Sequence, residues 1–186
     1  KQKIKQETER GGQVYLVQNE IPTLSYTAKK IGGFFPFLSV GFIHCQMPGR
    51  YLEDRVLSFF NGGIDVLVCT TIIESGLDIT NANLIIINNA QNFGLSQLYQ
   101  MRGRVGRGTR QASCLLLVPK NKLKKQAYRR LKTIEKHTTL GSGYDISIKD
   151  LEIRGAGSLF GYKQSGHISS VGFEMYCQLL KEEMDK

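Results

Sequence analysis

Short apolar runs alternate with stretches of helical spacing over the first 118 residues of the chain. The apolar runs are nearly continuous in hydrophobic residues, which is typical of strands covered on both faces. These predicted strands lie at residues 13–18, 38–44, 65–70, 83–88 and 112–118. The predicted helices lie at residues 1–10, 22–31, 48–60 and 96–101. This alternation predicts an α/β fold, a parallel sheet of about five strands with helices on both faces.

The pattern after residue 118 is helical. Predicted helices lie at residues 122–137, 145–154 and 171–184. The first of them places four apolar side chains on one face, those of Leu123, Ala127, Leu131 and Ile134. A glycine-rich loop, GAGSLFGYKQSG, occupies residues 155–166. We therefore predict two parts, a sheet domain at residues 1–118 and a small α-helical appendage, a helical hairpin with a loop, at residues 119–186.

Positive charge is concentrated in one part of the chain. The whole sequence has a formal net charge of +9. Residues 101–136 contain twelve lysines and arginines and one acid, Glu135, so this basic block carries +11 and leaves −2 for the remainder. Such a block indicates a phosphate-bearing partner, either a nucleotide or a nucleic acid. For the lysines at residues 120–125 the alternative is an ordinary solvated helix face.

The cysteines and the apolar runs indicate the kind of cellular environment in which the protein acts. The four cysteines lie far apart and form no metal-binding or redox pair, and Cys69 and Cys114 stand in apolar runs that favour buried, reduced thiols. No apolar run approaches the roughly 20 residues of a membrane span. We therefore predict no metal site, no membrane partner and a cytoplasmic location. The charged start without methionine predicts that the chain is a piece of a larger protein.

The segment QLYQMRGRVGRG at residues 97–108 carries the most specific indication of chemistry. Its glycines let the backbone pass close to a bulky ligand, and its arginines present planar forks to phosphate oxygens. A disordered, RGG-like nucleic-acid tail is the alternative, but the segment stands between a predicted helix and a predicted strand. A second polar segment, CTTIIESGLDITNAN at residues 69–83, follows a buried strand, where open α/β sheets bind ligands.

In order and separation, these two segments resemble motifs V and VI of superfamily 2 helicases and translocases, whose motor domains are RecA-like. The resemblance implies that Arg104 and Arg107 are catalytic arginine fingers that reach the γ-phosphate of ATP. It implies a second group of residues near the nucleotide, Gly76, Asp78, Gln100 and Gly103. It also implies a third group at the DNA, Thr70 of motif V with His44 and Gln46 of the turn HCQM.

The sequence contains no phosphate loop of the form G-x-x-x-x-G-K-S/T and no acidic box for Mg²⁺. In the resembled family these belong to the first RecA-like domain, which is therefore the expected partner of this chain. The resemblance implies that ATP and Mg²⁺ are held mainly by that domain. We predict that the 186 residues alone do not hydrolyse ATP.

The last part of the chain indicates which members of superfamily 2 it resembles. The segment DLEIRGAGSLFGYKQSG at residues 150–166 resembles the TRG translocation motif of RecG-type helicases and of bacterial transcription-repair coupling factors. The sequence IRGAG, and QSGHISSVGFEMYCQLL after it, favours the coupling factors. The resemblance implies that Arg130, Arg154 and Gln164 couple ATP hydrolysis to movement on DNA.

The function implied is that of an ATP-driven double-stranded-DNA translocase. In the parent protein it would displace stalled RNA polymerase and recruit excision-repair proteins, through parts that lie outside this chain. One alternative is a RecG-like helicase that remodels branched DNA and stalled forks. An alternative of another class is a non-catalytic nucleic-acid-binding module, although pure binding gives no role to a pair of arginine fingers.

Overall fold

The computed structural model describes residues 1–71, 81–119, 123–137 and 142–154. The chain divides into two compact units, Lys1–Leu123 and Lys124–Lys186. This division lies a few residues after the one predicted at residue 118. Within the described ranges, the first unit contains the sheet and the second contains helices.

The first unit is built around a parallel five-stranded sheet. Its strands are β1 (Gln13–Val17), β2 (Val40–Ile43), β3 (Val66–Cys69), β4 (Ala82–Ile87) and β5 (Ser113–Leu116). Its described helices are α1 (Gln2–Glu9), α2 (Ile21–Phe34), α3 (Gly49–Phe60) and α4 (Leu95–Arg102). The strand order is β2-β3-β1-β4-β5, and all neighbours are parallel. The predicted α/β fold with a parallel sheet is therefore confirmed.

Burial along the strands follows their place in the sheet. Every residue of β1, β3 and β4 is buried, because these strands have neighbours on both sides and helices above and below. The edge strand β2 alternates between buried and half-buried positions, and the other edge strand, β5, is half-buried throughout. The nearly continuous apolar runs of the sequence thus correspond most closely to the three central strands.

Helices cover both faces of the sheet. On one face, Ile4 of α1 and Leu24 of α2 belong to the same buried cluster as Val14. On the opposite face, the ring of Tyr15 lies 5.0 Å from the ring of Phe59 at the end of α3. Because consecutive strand residues point to opposite faces, these contacts place α1 and α2 on one side and α3 on the other. This arrangement is the predicted one.

The second unit contains two described helices, α5 (Lys125–Lys136) and α6 (Gly143–Arg154), which pack against each other. Ala127 and Ile134 are buried on α5, as its apolar spacing predicts. The prediction that Leu123 belongs to this helix is wrong, because α5 begins at Lys125 and Leu123 is exposed. The glycine-rich loop and the helix predicted at residues 171–184 lie outside the described residues.

Two of the cysteines show the expected burial to different degrees. Cys69 is fully buried in β3, where burial raises the pKa of its thiol and its Sγ donates a hydrogen bond to the carbonyl oxygen of Leu16 at 3.8 Å. Cys114 is half-buried in β5, and burial raises the pKa of its thiol to about 11. Both thiols are therefore protonated at neutral pH.

In the described part of the chain, no helix combines the length and the apolar character that crossing a membrane requires.

Candidate functional site

The helix α4 positions the segment that carries Arg104 and Arg107. Its first turn is closed by the Gly94 N–H, which donates to Oε1 of Gln97 at 3.1 Å. Leu98 and Met101 are buried on its inner face, while Gln100 is exposed on its outer face. The apolar face therefore fixes the helix against the unit and leaves Gln100 accessible to a ligand.

Residues 103–112, which we call the finger loop, connect α4 to β5. The loop begins where the N–H of Gly103 donates to the carbonyl of Tyr99 at 3.0 Å, at the end of the helix. Gly106 has φ +80°, and a Cβ there would lie 3.0 Å from the Cβ of Ala112. Only glycine adopts this conformation readily and fits this space, so the turn between Arg104 and Arg107 depends on it.

The two arginines of the finger loop differ in exposure. Arg104 is half-buried, whereas Arg107 is exposed. Nε of Arg107 donates to the carbonyl of Gly103 at 3.0 Å, which orients the guanidinium plane relative to the end of α4. Two arginines three residues apart on one loop are suited to phosphate oxygens, because each guanidinium group presents several N–H donors in a plane and keeps its charge.

The residues predicted to contact DNA lie at the carboxyl-terminal edge of the sheet, where the parallel strands end. Ile43 and Cys69 are paired in the register of β2 with β3, so the next residues, His44 and Thr70, stand side by side on adjacent strands. Adjacent strands are about 4.8 Å apart. Thr70 is buried and His44 half-buried, and Nδ1 of His44 has no hydrogen-bond partner among the described residues. The structure therefore brings these two predicted residues together.

The turn that follows His44 presents Gln46 to solvent. The N–H of Met47 donates to the carbonyl of His44 at 3.1 Å and closes the turn. Gln46 is exposed on it, as a residue that contacts a large ligand has to be.

Gln18 occupies the same edge and was not predicted. It follows β1, and its backbone N–H donates to the carbonyl of Cys69 at 3.0 Å. Its side-chain Nε2 donates to the hydroxyl of Thr23 at 2.8 Å, and the hydroxyl of Thr27 donates to its Oε1 at 3.3 Å. One feature of the sequence could have identified Gln18, because it is a polar residue directly after an apolar strand, as Thr70 is.

The finger loop ends at the opposite edge of the sheet. Arg110 donates from Nη1 to the carbonyl of Arg10 at 2.8 Å, and Arg10 stands just before β1. The end of the loop is therefore at the amino-terminal edge, whereas His44 and Thr70 are at the carboxyl-terminal edge. The structure thus places the end of the finger loop away from His44 and Thr70.

The remaining predicted residues are only partly described. Gly76 and Asp78 lie outside the described residues, as does Gln164. Arg130 is half-buried on α5, and Arg154 is the last residue of α6.

The side chains of the described residues differ in their suitability for Mg²⁺ and for phosphate. No group of three or more His, Cys, Asp or Glu side chains in the described ranges is arranged to hold a metal ion. The groups that the finger loop presents are cationic and match phosphate oxygens.

Curated relatives match almost the whole chain over a small part of their own length. A transcription-repair-coupling factor of Myxococcus xanthus is 48% identical over 98% of this chain and 15% of the relative. Those of Helicobacter pylori (strain J99) and Staphylococcus epidermidis (strain ATCC 12228) are 44% and 46% identical over 98% and 100% of this chain. The chain spans 18% and 16% of the length of these two relatives.

Solved structures show the same fold. RecG bound to a three-way DNA junction matches 84% of this chain and 21% of its own with a TM-score of 0.70 and 33% identity. The yeast DEAD-box splicing factor Prp28 matches 75% of this chain and 31% of its own with a TM-score of 0.59 and 19% identity, a likeness of fold alone. The profile of the helicase conserved C-terminal domain matches residues 1–109, more than half of the sequence. The chain therefore belongs to the family of helicase conserved C-terminal domains.

Proposed function

We propose that this chain is the C-terminal half of the motor of an ATP-dependent double-stranded-DNA translocase of superfamily 2. The observation that carries the proposal is the finger loop, which holds Arg104 and Arg107 on a fixed turn between α4 and β5. Similarity along the whole chain supports the same function, because the chain is 44 to 48% identical to transcription-repair-coupling factors along nearly all its length.

The proposed chemical role of the chain is to stabilise charge. Arg104 and Arg107 approach the γ-phosphate from across a cleft and stabilise the charge that develops during phosphoryl transfer. Gln100 and Gly103 at the end of α4 lie beside the nucleotide. Mg²⁺ supplies neutralisation of the phosphate oxygens when it is bound. We assign its binding, and most of the binding of ATP, to a preceding RecA-like domain, because this sequence contains no phosphate loop.

Motif V completes the nucleotide contacts and begins the DNA contacts. We assign Gly76 and Asp78 to the nucleotide and Thr70 to a DNA phosphate. His44 and Gln46 contribute the neighbouring DNA contacts. The register of β2 with β3, which sets His44 beside Thr70, supports a single contact surface for the DNA backbone at this edge.

The parent protein would use this motor to displace stalled RNA polymerase and to couple transcription to nucleotide excision repair in the cytoplasm. The contacts with polymerase and with repair proteins belong to parts outside this chain. A RecG-like role on branched DNA is the second candidate, favoured by the likeness to RecG at 33% identity. Displacement of a stalled polymerase by the full-length protein, compared with regression of a model fork, distinguishes the two.

The test of the motor function is the ATPase rate of the full-length protein with and without duplex DNA. We expect duplex DNA to stimulate hydrolysis, and the 186-residue chain alone to show no turnover. Arg104→Ala and Arg107→Ala should each lower kcat by about 10³ while the KM for ATP stays nearly unchanged, because each removes an interaction made mainly in the transition state.

The matched control is Arg55→Ala. Arg55 lies on α3, where its Nε donates to the hydroxyl of Tyr51 at 3.1 Å, and we assign it no contact with nucleotide. Its kcat should equal that of the wild type. A kcat within about threefold of wild type for both finger variants would refute the assignment and favour a non-catalytic nucleic-acid-binding module.

A further inference from the structure

Two arginines tie the end of the finger loop to the end of α1. Nη2 of Arg10 donates to the carbonyl of Gln111 at 2.7 Å, and Nη1 of Arg110 donates to the carbonyl of Arg10 at 2.8 Å. Each segment thus supplies one guanidinium group and one backbone acceptor to the other. The contacts join residues about a hundred positions apart in the sequence.

A buried carboxylate holds Arg10 in place. Glu7 is only 5% exposed, and its Oε2 accepts a hydrogen bond from Nη2 of Arg10. A charge-assisted contact of this kind is directional, so it sets the position of the guanidinium that reaches Gln111. Arg10 is therefore held by Glu7 of α1 as well as by its contact with the loop.

The end of α1 is itself fixed to the sheet. Ile4 is buried in the cluster that includes residues of β1 and β4. Nδ2 of Asn81 donates to the carbonyl of Gly11 at 3.0 Å, and the N–H of Gln13 donates to the carbonyl of Asn81 at 2.9 Å. The loop is thus tied to a part of the unit that cannot move independently of the central strands.

Packing does not fill the space beside these contacts. A cavity of about 250 Å³ lies there, lined among others by Lys3, Leu84 and Ser113. The backbone pairing of β5 with β4 begins at Ser113, and the two arginine contacts act on the loop residues just before it.

We propose that Arg10 and Arg110 are positioning residues for Arg104 and Arg107, a role that rests on the proposed function. The finger loop runs between α4 and β5, and the arginine pair adds a constraint on its last residues, just before β5 begins at Ser113. Without the pair, the loop keeps its sequence and its fingers but loses this constraint. A displacement of about 1 Å at a catalytic group can cost as much as about 10²-fold in rate.

The first test is kinetic and uses the full-length protein. Arg10→Ala combined with Arg110→Ala should lower kcat by about 10- to 100-fold and leave the KM for ATP unchanged. Arg110→Lys keeps a cationic donor for the carbonyl of Arg10 and should retain most of the rate, whereas Arg110→Glu should not. A kcat within about threefold of wild type for the double variant would overturn the proposal.

The second test measures amide hydrogen exchange in the 186-residue chain and is independent of ATP hydrolysis. The double variant should exchange faster in the finger loop, with unchanged exchange in β1 and β4 and an unchanged thermal transition. Unchanged exchange in the loop would overturn the tie, whatever the ATPase result. Faster exchange throughout the sheet would assign these arginines to general stability and overturn the positioning role.

The two proposals fail in different ways. If Arg107→Ala leaves kcat unchanged, the finger assignment fails, and with it the positioning role, even where exchange shows that the tie exists. If Arg107→Ala abolishes turnover and the double variant does not lower it, only the positioning role fails.

Discussion

At Gly12 the chain passes very close to the buried carboxylate of Glu7. A Cβ at this position would lie 1.9 Å from Oε1 and 2.8 Å from Cδ of Glu7. That carboxylate cannot simply move away, because it is buried and bonded to Arg10. The glycine is therefore required by space, and its loss would also disturb the contact that holds Arg10.

We expect Gly12→Ala to lower the free energy of unfolding by about 1–3 kcal/mol, the usual cost of forcing extra volume into a packed site. Urea titration of the 186-residue chain measures it. The matched control is Gly32→Ala in α2, where an added Cβ has no atom within 4 Å. That change should raise stability by roughly 0.5–1 kcal/mol, since alanine is the better helix former. Equal stability of the two variants would contradict this account.

The helices α5 and α6 form the element that we propose to couple ATP hydrolysis to movement on DNA. They pack through buried apolar residues, among them Ile134 on α5 and Ile146 on α6. Arg130 is carried by α5, and Arg154 is the last residue of α6. A coupling element needs two arrangements that the ATP site and the DNA site both influence, and a helix pair followed by a glycine-rich loop suits this need.

In the full-length protein, Arg130→Ala, Arg154→Ala and Gln164→Ala should each keep most of the DNA-stimulated ATPase rate and lose displacement of a triplex strand or a stalled polymerase. These residues stand outside the two motifs that we assign to the nucleotide, so hydrolysis should continue while force on DNA is lost.

The control for this prediction is Lys149→Ala on α6, which lies outside the basic block. Nζ of Lys149 pairs with Oε2 of Glu152 at 2.7 Å on the exposed surface, and such pairs contribute little to stability. This variant should keep both activities. Displacement at normal speed in the three test variants would remove the coupling role, and a joint loss of both activities with the thermal transition would indicate a folding defect.

For the molecule as a whole, the charge distribution is the basis for the expected binding to DNA. The basic block at residues 101–136 carries +11, whereas the rest of the chain carries −2. The block includes the finger loop and all of α5. Lysine and arginine side chains of this kind contact phosphates, which carry no sequence information.

We expect the 186-residue chain to bind duplex DNA weakly, without sequence preference and with strong dependence on salt. Affinity should fall at least about tenfold between about 50 and 200 mM salt, because counterion release dominates such binding. Lys125→Gln should lower the salt slope if the block contacts phosphates, and Lys5→Gln, outside it, should not. An affinity that stays constant over this range, or that differs between two unrelated duplexes, would contradict the prediction.

Local features of the sequence were sufficient to predict the strands of the sheet, and they allowed the residues of each motif to be proposed. The strands β1, β3 and β4 were predictable because burial on both faces demands nearly continuous apolar runs, which can be read without knowing the neighbours. Arg104 and Arg107 could be proposed as site residues for a related reason, since their motif is contiguous. The start of α5 was placed too early, because the apolar Leu123 fits the helical spacing although it lies before the helix and is exposed.

The tertiary structure alone decided which distant residues meet. The strand order β2-β3-β1-β4-β5 sets His44 beside Thr70, and nothing local to either residue encodes that register. The contact of Arg10 with Gln111, 101 positions away, likewise depends on α1 packing against the sheet and ending just before β1. Periodicity reports the environment of a single element, whereas the pairing of elements depends on packing over the whole unit, which no short stretch of sequence contains.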